Sequence, residues 1–387
     1  MSRILSYGMV GGGIGSLIGP AHRRAIAMDG KAALCAGCFS RQAENNRQTG
    51  EAWGVEPGRI YKDYIEMAET EKDRTDRIDF VVIVTPNVSH YAIAKAFLEA
   101  GIAVVCDKPL AMTTEEARQL CALAEQKEIL FMVTYVYSGY TAVKQIRSMI
   151  EQGAIGRIRT IAAEYPQGWL AKEDMTGNKQ AAWRLDPEQA GKSNTLADIG
   201  THIENTVHRM TGLAIRRLMA RMESVVPGRK LDDNSTVWVE YENGASGAYW
   251  ASQIAIGHDN GLRVRIYGEK GSLHWFQEEG EKILYYKEDG SRMEIHKGDA
   301  VIDEKAAAYD RIPGGHSEGW LGALANHYCN YIECFLAKEA GESYEARKNF
   351  PDAYDGLAGM QFIEACVESQ EKGNAWVAME NLERCQR

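Results

Sequence analysis

Two short stretches of the chain carry side chains suited to acid–base chemistry. In "NTLADIGTHIENTVHRMTG", Asp198 and His202 are four residues apart, so on a helix both side chains leave from one face. A carboxylate beside an imidazole raises its basicity and orients it, which is what a general base needs to take a proton from an alcohol. A buried Asp–His contact that only holds the helix in place would give the same pattern. Metal binding is a third choice, but no third ligand stands at an evident spacing, and no metal is expected. His208 falls on a different helix face and reads as structural. In "VCDKPLAM", Lys108 follows an apolar, β-branched run and precedes Pro109. An ammonium at a strand end can reach a ligand bound beyond that edge; a plain surface lysine is the alternative.

Those residues need rigid elements beneath them, and the first third of the chain supplies a regular series. "ILSYGMV", "KAALCAGCF", "IDFVVIVT", "AVVCDKP" and "ILFMVTY" read as strands, with helices over residues 20–29, 41–53, 89–100 and 113–127 between them. Continuous apolar runs alternating with amphipathic segments predict a parallel, doubly wound sheet covered on both faces. Lys108 then sits at the carboxyl edge of a strand, where such sheets bind their ligands.

The first strand-to-helix turn is "MVGGGIGSLIGPAHR", residues 9–23. Its spacing departs from G-x-G-x-x-G, because Ser16 occupies the third glycine's place and the next glycines are Gly15 and Gly19. The context still suits a dinucleotide: glycines admit the backbone to the phosphates, and a helix N-terminus offers unpaired N–H groups. The reading is a lengthened nucleotide loop with Gly11, Gly13, Ile14 and Gly15 toward the cofactor and Gly19 easing helix packing; a structural corner is the alternative.

Further cofactor candidates lie at the ends of the following strands. "FSRQ" puts Ser40 and Arg41 where an acidic residue would bind the ribose 2′-hydroxyl of NAD. Arg41 suits a 2′-phosphate or a solvated helix start, so NAD is expected and NADP stays open. "TPNVSH" contributes Thr85, Pro86, Asn87 and His90, with Asn87 alternatively capping the next helix. Asp107 and Lys108 complete the set.

Beyond about residue 132 strands follow one another directly, from "IRTIAAEYP" through "NSTVWVEYENG", "ASGAYWASQI" and "RVRIYG" to "RMEIH". Asn243-Gly244 between two alternating runs marks a hairpin. This half predicts an α+β domain with a mostly antiparallel open sheet. Helices are expected over residues 140–152, 196–211, 318–337 and 350–372, the last of them candidates for packing back on the first domain. The expected organisation is α/β overall: a Rossmann domain over residues 1–132 and a substrate-binding and oligomerisation domain over 133–387.

Composition narrows the function. Hydrophobic content of 45% and charged content of 25% are those of a globular protein. A net charge of −10 and the lack of a basic stripe speak against nucleic acid as a partner. No apolar run approaches the ~20 residues of a membrane span, so no membrane partner and a cytoplasmic location are expected. The eight cysteines, Cys35, Cys38, Cys106, Cys121, Cys329, Cys334, Cys366 and Cys385, are scattered in apolar segments and read as reduced thiols. Cys35 and Cys38 have C-x-x-C spacing but no second ligand pair, and packing is the expected role.

Lys108, Asp198 and His202 in this order, after a lengthened nucleotide loop, resemble the Gfo/Idh/MocA oxidoreductase family. Asp107-Lys108-Pro109 stands where the family has E-K-P, and Asp198-Ile199-Gly200-Thr201-His202 matches its D-x-G-x-H. "GGGIGSLIGPAHR", "EYPQGWL" and "KQAAWRLDPEQAG" are similar to the branch containing levoglucosan dehydrogenase and bacterial glycoside 3-dehydrogenases. The resemblance implies NAD(P)-dependent oxidation of a secondary hydroxyl, at C3 of a pyranose sugar or glycoside, and a homodimer or homotetramer. His202 would accept the hydroxyl proton, Lys108 would stabilise the oxyanion and Asp198 would orient the reacting groups. Sugars need aromatic platforms and hydrogen bonds, for which Tyr135, Tyr137, Gln167, Trp169, Trp183 and Arg184 are candidates, core filling being their alternative. His316, in the glycine-rich "IPGGHSEGW", is a candidate for a loop that closes over the site, or a plain loop histidine. Rival readings are an inositol or cyclitol dehydrogenase, a keto-sugar reductase, an NAD-assisted glycoside-cleaving enzyme and a non-catalytic nucleotide-binding sensor.

Overall fold

The computed structural model describes residues 3–380. They fall into two compact units: residues up to Thr134 with Leu324–Leu357, and Tyr135–Ala323 with the residues from Ala358 onward.

In the first unit, β1 (Leu5–Gly11), β2 (Ala32–Cys38), β3 (Phe80–Val84), β4 (Ala103–Cys106) and β5 (Phe131–Val133) form an all-parallel sheet in the order β2-β1-β3-β4-β5. Every residue of β3 and β4 is buried, as their unbroken apolar runs require of strands covered on both faces. The order reverses between β1 and β3, which puts a ligand crevice at the carboxyl ends of those strands. The alternation read from the sequence omits one helix, Tyr64–Lys72, capped by the Asp63 carboxylate on the Glu66 N–H. Only Met67, Ala68 and Glu71 of that helix are buried, too few to give a periodic signal. The late segment completes this unit. The Tyr331 ring packs against Phe80 at 5.5 Å, and Pro351 O accepts the Val133 N–H at 2.9 Å along the β5 edge.

The second unit holds β6 (Ile158–Pro166), β7 (Ile215–Glu223), β8 (Asn234–Tyr241), β9 (Ser246–Ser252), β10 (Arg263–Gly268), β11 (Gly271–Phe276), β12 (Lys282–Lys287), β13 (Arg292–His296) and β14 (Val377–Ala378). They pair in the order β13-β12-β11-β10-β6-β9-β8-β7-β14. All neighbours are antiparallel except β6 and β9. Along β8, Val237, Val239 and Tyr241 are buried while Trp238 is exposed, so one face is core and the other open. The expected hairpin joins β8 to β9, with Gly244 at φ +82° and Asn243 Oδ1 accepting the Ala245 N–H at 2.9 Å.

Seven cysteines are free thiols, and Cys385 lies outside the described residues. Cys35 and Cys38, both half-buried on β2, form no disulfide with each other. Among the described residues no helix is long and apolar enough to cross a membrane, and no cluster of His, Cys, Asp and Glu could hold a metal.

Candidate active site

β1 ends at Gly11 and the next helix, Ile18–Ala27, begins seven residues on. Gly11, Gly12 and Gly15 have φ of +84°, +77° and +88°, where a side chain is strained. The tightest contact joins Gly12 and Gly19: a Cβ on Gly19 would lie 2.4 Å from both Cα and O of Gly12. Gly19 has the packing role expected of it, and Gly12, passed over by the spacing argument, is its partner. A Cβ on Gly13 would strike Asn45 Oδ1 at 2.5 Å. The N–H groups of Gly13 and Ile14 are donated to Phe39 O at 3.1 Å and Thr49 Oγ1 at 3.0 Å. These two residues therefore fasten the loop to the second strand–helix pair instead of aiming their N–H groups at a phosphate. The loop still fits a pyrophosphate, because its accessible positions Gly11 and Gly15 are bare backbone and the helix's first turn carries no acidic side chain.

Past β2, Ser40 Oγ accepts the Gln42 N–H at 3.1 Å and Arg41 is exposed. Past β3, Thr85 packs against Gly11, and Pro86 leads into a single tight turn, Asn87–Ser89. Ser89 occupies the N-cap position of the helix His90–Glu99 without a side-chain capping bond, and Asn87, at the start of the tight turn before it, is buried. His90 is also fully buried, with Nδ1 2.8 Å from Pro109 O and Nε2 2.8 Å from Thr85 O. Both ring nitrogens lie against backbone carbonyls, so His90 ties the β3 exit to the segment after Lys108. Lys108 stands just past β4, half-buried, and Asp107 Oδ1 accepts its backbone N–H at 2.9 Å and the Thr134 hydroxyl at 2.8 Å. Asp107 thus fixes the backbone on which Lys108 is mounted.

In the second unit the expected helix over residues 196–211 opens on a wider turn. Leu196–Gly200 closes with an i→i+5 bond from Thr201 N to Leu196 O before the regular helix Thr201–Thr211. Such inserts are frequent at functional sites. The buried Asp232 carboxylate anchors this turn, accepting the N–H groups of Asn194 at 2.8 Å and Leu196 at 3.2 Å and the Ser193 and Ser235 hydroxyls. Asp198 belongs to a larger assembly than the expected Asp–His pair. Its Oδ2 receives Arg184 Nε at 3.1 Å and Gln253 Nε2 at 2.8 Å. The Arg184 guanidinium lies 4.2 Å from the Trp183 ring centroid and 5.7 Å from that of Trp169.

His202 is walled by tyrosines, with ring centroids 5.7 Å from Tyr135, 4.8 Å from Tyr137 and 6.2 Å from Tyr165. The Tyr137 and Tyr165 hydroxyls are 2.5 Å apart. Asn260 joins them: its Oδ1 accepts from Tyr165 and from Gln167 Nε2 at 3.1 Å, and its Nδ2 donates to Tyr137 at 3.1 Å. Trp169 Nε1 donates to Gln167 Oε1 at 3.0 Å. Burial pushes both phenols above their ordinary pKa, so they remain protonated donors. Tyr135, Tyr137, Gln167, Trp169, Trp183, Arg184, Asp198 and His202 are thus brought together. His316 is exposed, with Nδ1 3.4 Å from Gly314 O, and makes no hydrogen bond or ring contact with the cluster.

Three members of the cluster escape sequence reasoning. Tyr165 had a signal, since it stands two residues before Gln167 where alternation puts both on one face. Gln253, just past β9, and Asn260, in the loop before β10, had none.

Residues 5–135 match the family model described as "Oxidoreductase family, NAD-binding Rossmann fold", and residues 143–274 match "GFO/IDH/MocA C-terminal domain". The chain is 38% identical to the uncharacterized oxidoreductase YfiI of Bacillus subtilis over 97% of either chain. Among solved structures it is similar to an inositol dehydrogenase homologue of Azotobacter vinelandii in complex with NADH and myo-inositol, with 35% identity, 98% of each chain covered and a TM-score of 0.93. It is also similar to a levoglucosan dehydrogenase in complex with NADH and levoglucosan, with 26% identity, 98% of this chain and 100% of that one covered and a TM-score of 0.82.

Proposed function

Because this chain belongs to the Gfo/Idh/MocA oxidoreductase family and carries its NAD-binding Rossmann domain, we propose that it oxidises one secondary hydroxyl of a cyclic polyol, at C3 of a pyranose sugar or glycoside. The first unit is the cofactor half and the second the substrate half. One observation carries the reading: His202 is enclosed by three tyrosines next to a stacked Arg184–Asp198 pair, a wall of hydroxyls, amides and indoles suited to a polyhydroxylated ring. The net pairing of Arg184 with Asp198 leaves that wall without a strong charge preference, which favours a neutral polyol.

Gly11 and Gly15 would cradle the pyrophosphate, and bound NAD supplies a hydride acceptor. His202 takes the proton of the reacting hydroxyl. Lys108 supplies the positive charge that steadies the alkoxide as it develops, an interaction stronger in the transition state than in the ground state. Asp198, held ionised by Arg184 and Gln253, accepts a hydroxyl hydrogen bond and orients the ring. Tyr137 and Gln167 hold neighbouring hydroxyls, and Trp169 and Trp183 lie along the apolar face of the sugar.

A cyclitol is the second reading, favoured by the likeness to a structure whose complex contains myo-inositol. A spectrophotometric screen of pyranoses, glycosides, anhydrosugars and cyclitols with NAD and with NADP separates the two. The expected result is nicotinamide reduction with a pyranose or glycoside, abolished in His202→Ala while NAD binding persists. Undiminished turnover in His202→Ala would remove His202 as the base, and a cyclitol-only response would select the second reading.

A further inference from the structure

We propose that Gln253 is a positioning residue that locks the Asp198 carboxylate in its ionised state and in one orientation. The inference deepens the proposed oxidation and rests on it. Gln253 is fully buried just beyond β9. Its backbone is fixed at both ends, the N–H donating to Asp233 O at 2.9 Å and the carbonyl accepting from Leu170 N at 3.0 Å.

The direction of its side-chain amide follows from a backbone carbonyl. Asn194 Nδ2 lies 3.2 Å from Asp232 O, which can only accept, so that nitrogen is a donor. The same Nδ2 is 2.7 Å from Gln253 Oε1, which must therefore be the acceptor end. Gln253 Nε2 is left to donate to Asp198 Oδ2 at 2.8 Å. Gln253 Nε2 and Arg184 Nε both donate to Oδ2 and Arg184 Nη2 faces Oδ1 at 3.4 Å, so the donors gathered on this carboxylate favour its ionised form. A carboxylate held in this way accepts hydrogen bonds and orients the ring, and the proton of the reacting hydroxyl goes to His202.

Three proteins test the chain: the wild type, Gln253→Met and Gln253→Glu. Methionine fills the space and offers Asp198 no donor. Gln253→Glu keeps an acceptor for Asn194 but sets a second carboxylate against Asp198, and two carboxylates at hydrogen-bond distance retain one proton between them well above the ordinary carboxylate range. Once shared, that proton restores the missing donor. Gln253→Glu should therefore lose at least about tenfold in kcat/KM at pH 8 and recover most of it at about pH 5, while Gln253→Met is impaired at both. Thermal unfolding over the same range reads the contact without substrate: the Tm of Gln253→Glu relative to wild type should rise as pH falls, and that of Gln253→Met should not. Should Gln253→Met fail to fold, the acid recovery of Gln253→Glu still decides. Wild-type turnover with flat relative profiles in Gln253→Glu would overturn the lock and leave the function standing. Acid recovery of Tm with no wild-type turnover on any polyol would uphold the lock and overturn the function.

Discussion

Arg184 and Asp198 form a stacked ion pair: the guanidinium donates Nε to Oδ2 at 3.1 Å while its carbon sits 4.2 Å over the Trp183 ring. Lysine can reproduce the charge but neither the planar stack nor the directed N–H. Arg184→Lys should lower kcat/KM for the polyol by about tenfold to a hundredfold, the range of one lost charged hydrogen bond of roughly 1.5–3 kcal/mol. NAD affinity should stay unchanged. Steady-state kinetics with varied polyol and varied NAD would check this, and an equal rise in both KM values would refute it.

Gly12 and Gly19 touch backbone to backbone, so no flexible side chain can give way to an added methyl. Gly19→Ala should cost about 1–3 kcal/mol of stability, as overpacking generally does, and weaken NAD binding by displacing the loop. Gly30→Ala is the control, since nothing lies within 4 Å of its Cβ and only its φ of +63° is strained. Chemical unfolding and NAD titration by fluorescence would read both, with NAD affinity lost in the first variant and kept in the second.

Asn260 gathers the hydroxyls of Tyr137 and Tyr165 and the amide of Gln167 on one side chain. Asn260→Ala leaves Tyr165 and Gln167 short of an acceptor and Tyr137 short of a donor, at a cost of roughly 1–3 kcal/mol in stability. KM for the polyol should rise more than kcat falls, because the lost contacts orient hydroxyls that do not react. A fall in kcat alone would place Asn260 nearer the chemistry.

His22 is buried in the helix after the glycine loop, with Nδ1 2.6 Å from the Tyr328 hydroxyl. Burial holds its pKa below the ordinary imidazole value, against the weaker pull of the Asp107 charge. The unfolded chain therefore binds a proton near pH 6.5 that the folded chain refuses. Stability should fall as pH drops below about 6.5, by at most about 1.4 kcal/mol per pH unit. His22→Gln should flatten that part of the profile. Urea unfolding of both proteins from pH 5 to 8 would check the sign, and a wild type gaining stability relative to His22→Gln as pH falls would contradict it.

Legibility in the sequence followed the range of the interactions. The parallel sheet was readable because β3 and β4 are unbroken apolar runs, and the β8–β9 turn because Asn243-Gly244 dictates its own geometry. Tyr135, Tyr137, Trp169 and Trp183 were identifiable by type and place. The roles within the glycine loop were not, since Gly13 answers to Asn45 and Phe39, which arrive from the next strand and helix. Gln253 and Asn260 matter only through partners far along the chain, and no local pattern announces such residues. The i→i+5 turn at Leu196–Gly200 keeps the same apolar spacing as the helix it enters and so leaves no trace in periodicity.

The return of Leu324–Leu357 to the first unit bears on how the protein is born. A ribosome that has released β1 through β5 has not yet made Tyr331, which covers Phe80, nor Pro351, which closes the edge at Val133. The nascent nucleotide half must wait, one flank bare, until Leu357 has emerged, with the whole of Tyr135–Ala323 made in between. A chain stopped before residue 324 would offer chaperones a sticky, unfinished sheet in place of a working half-enzyme.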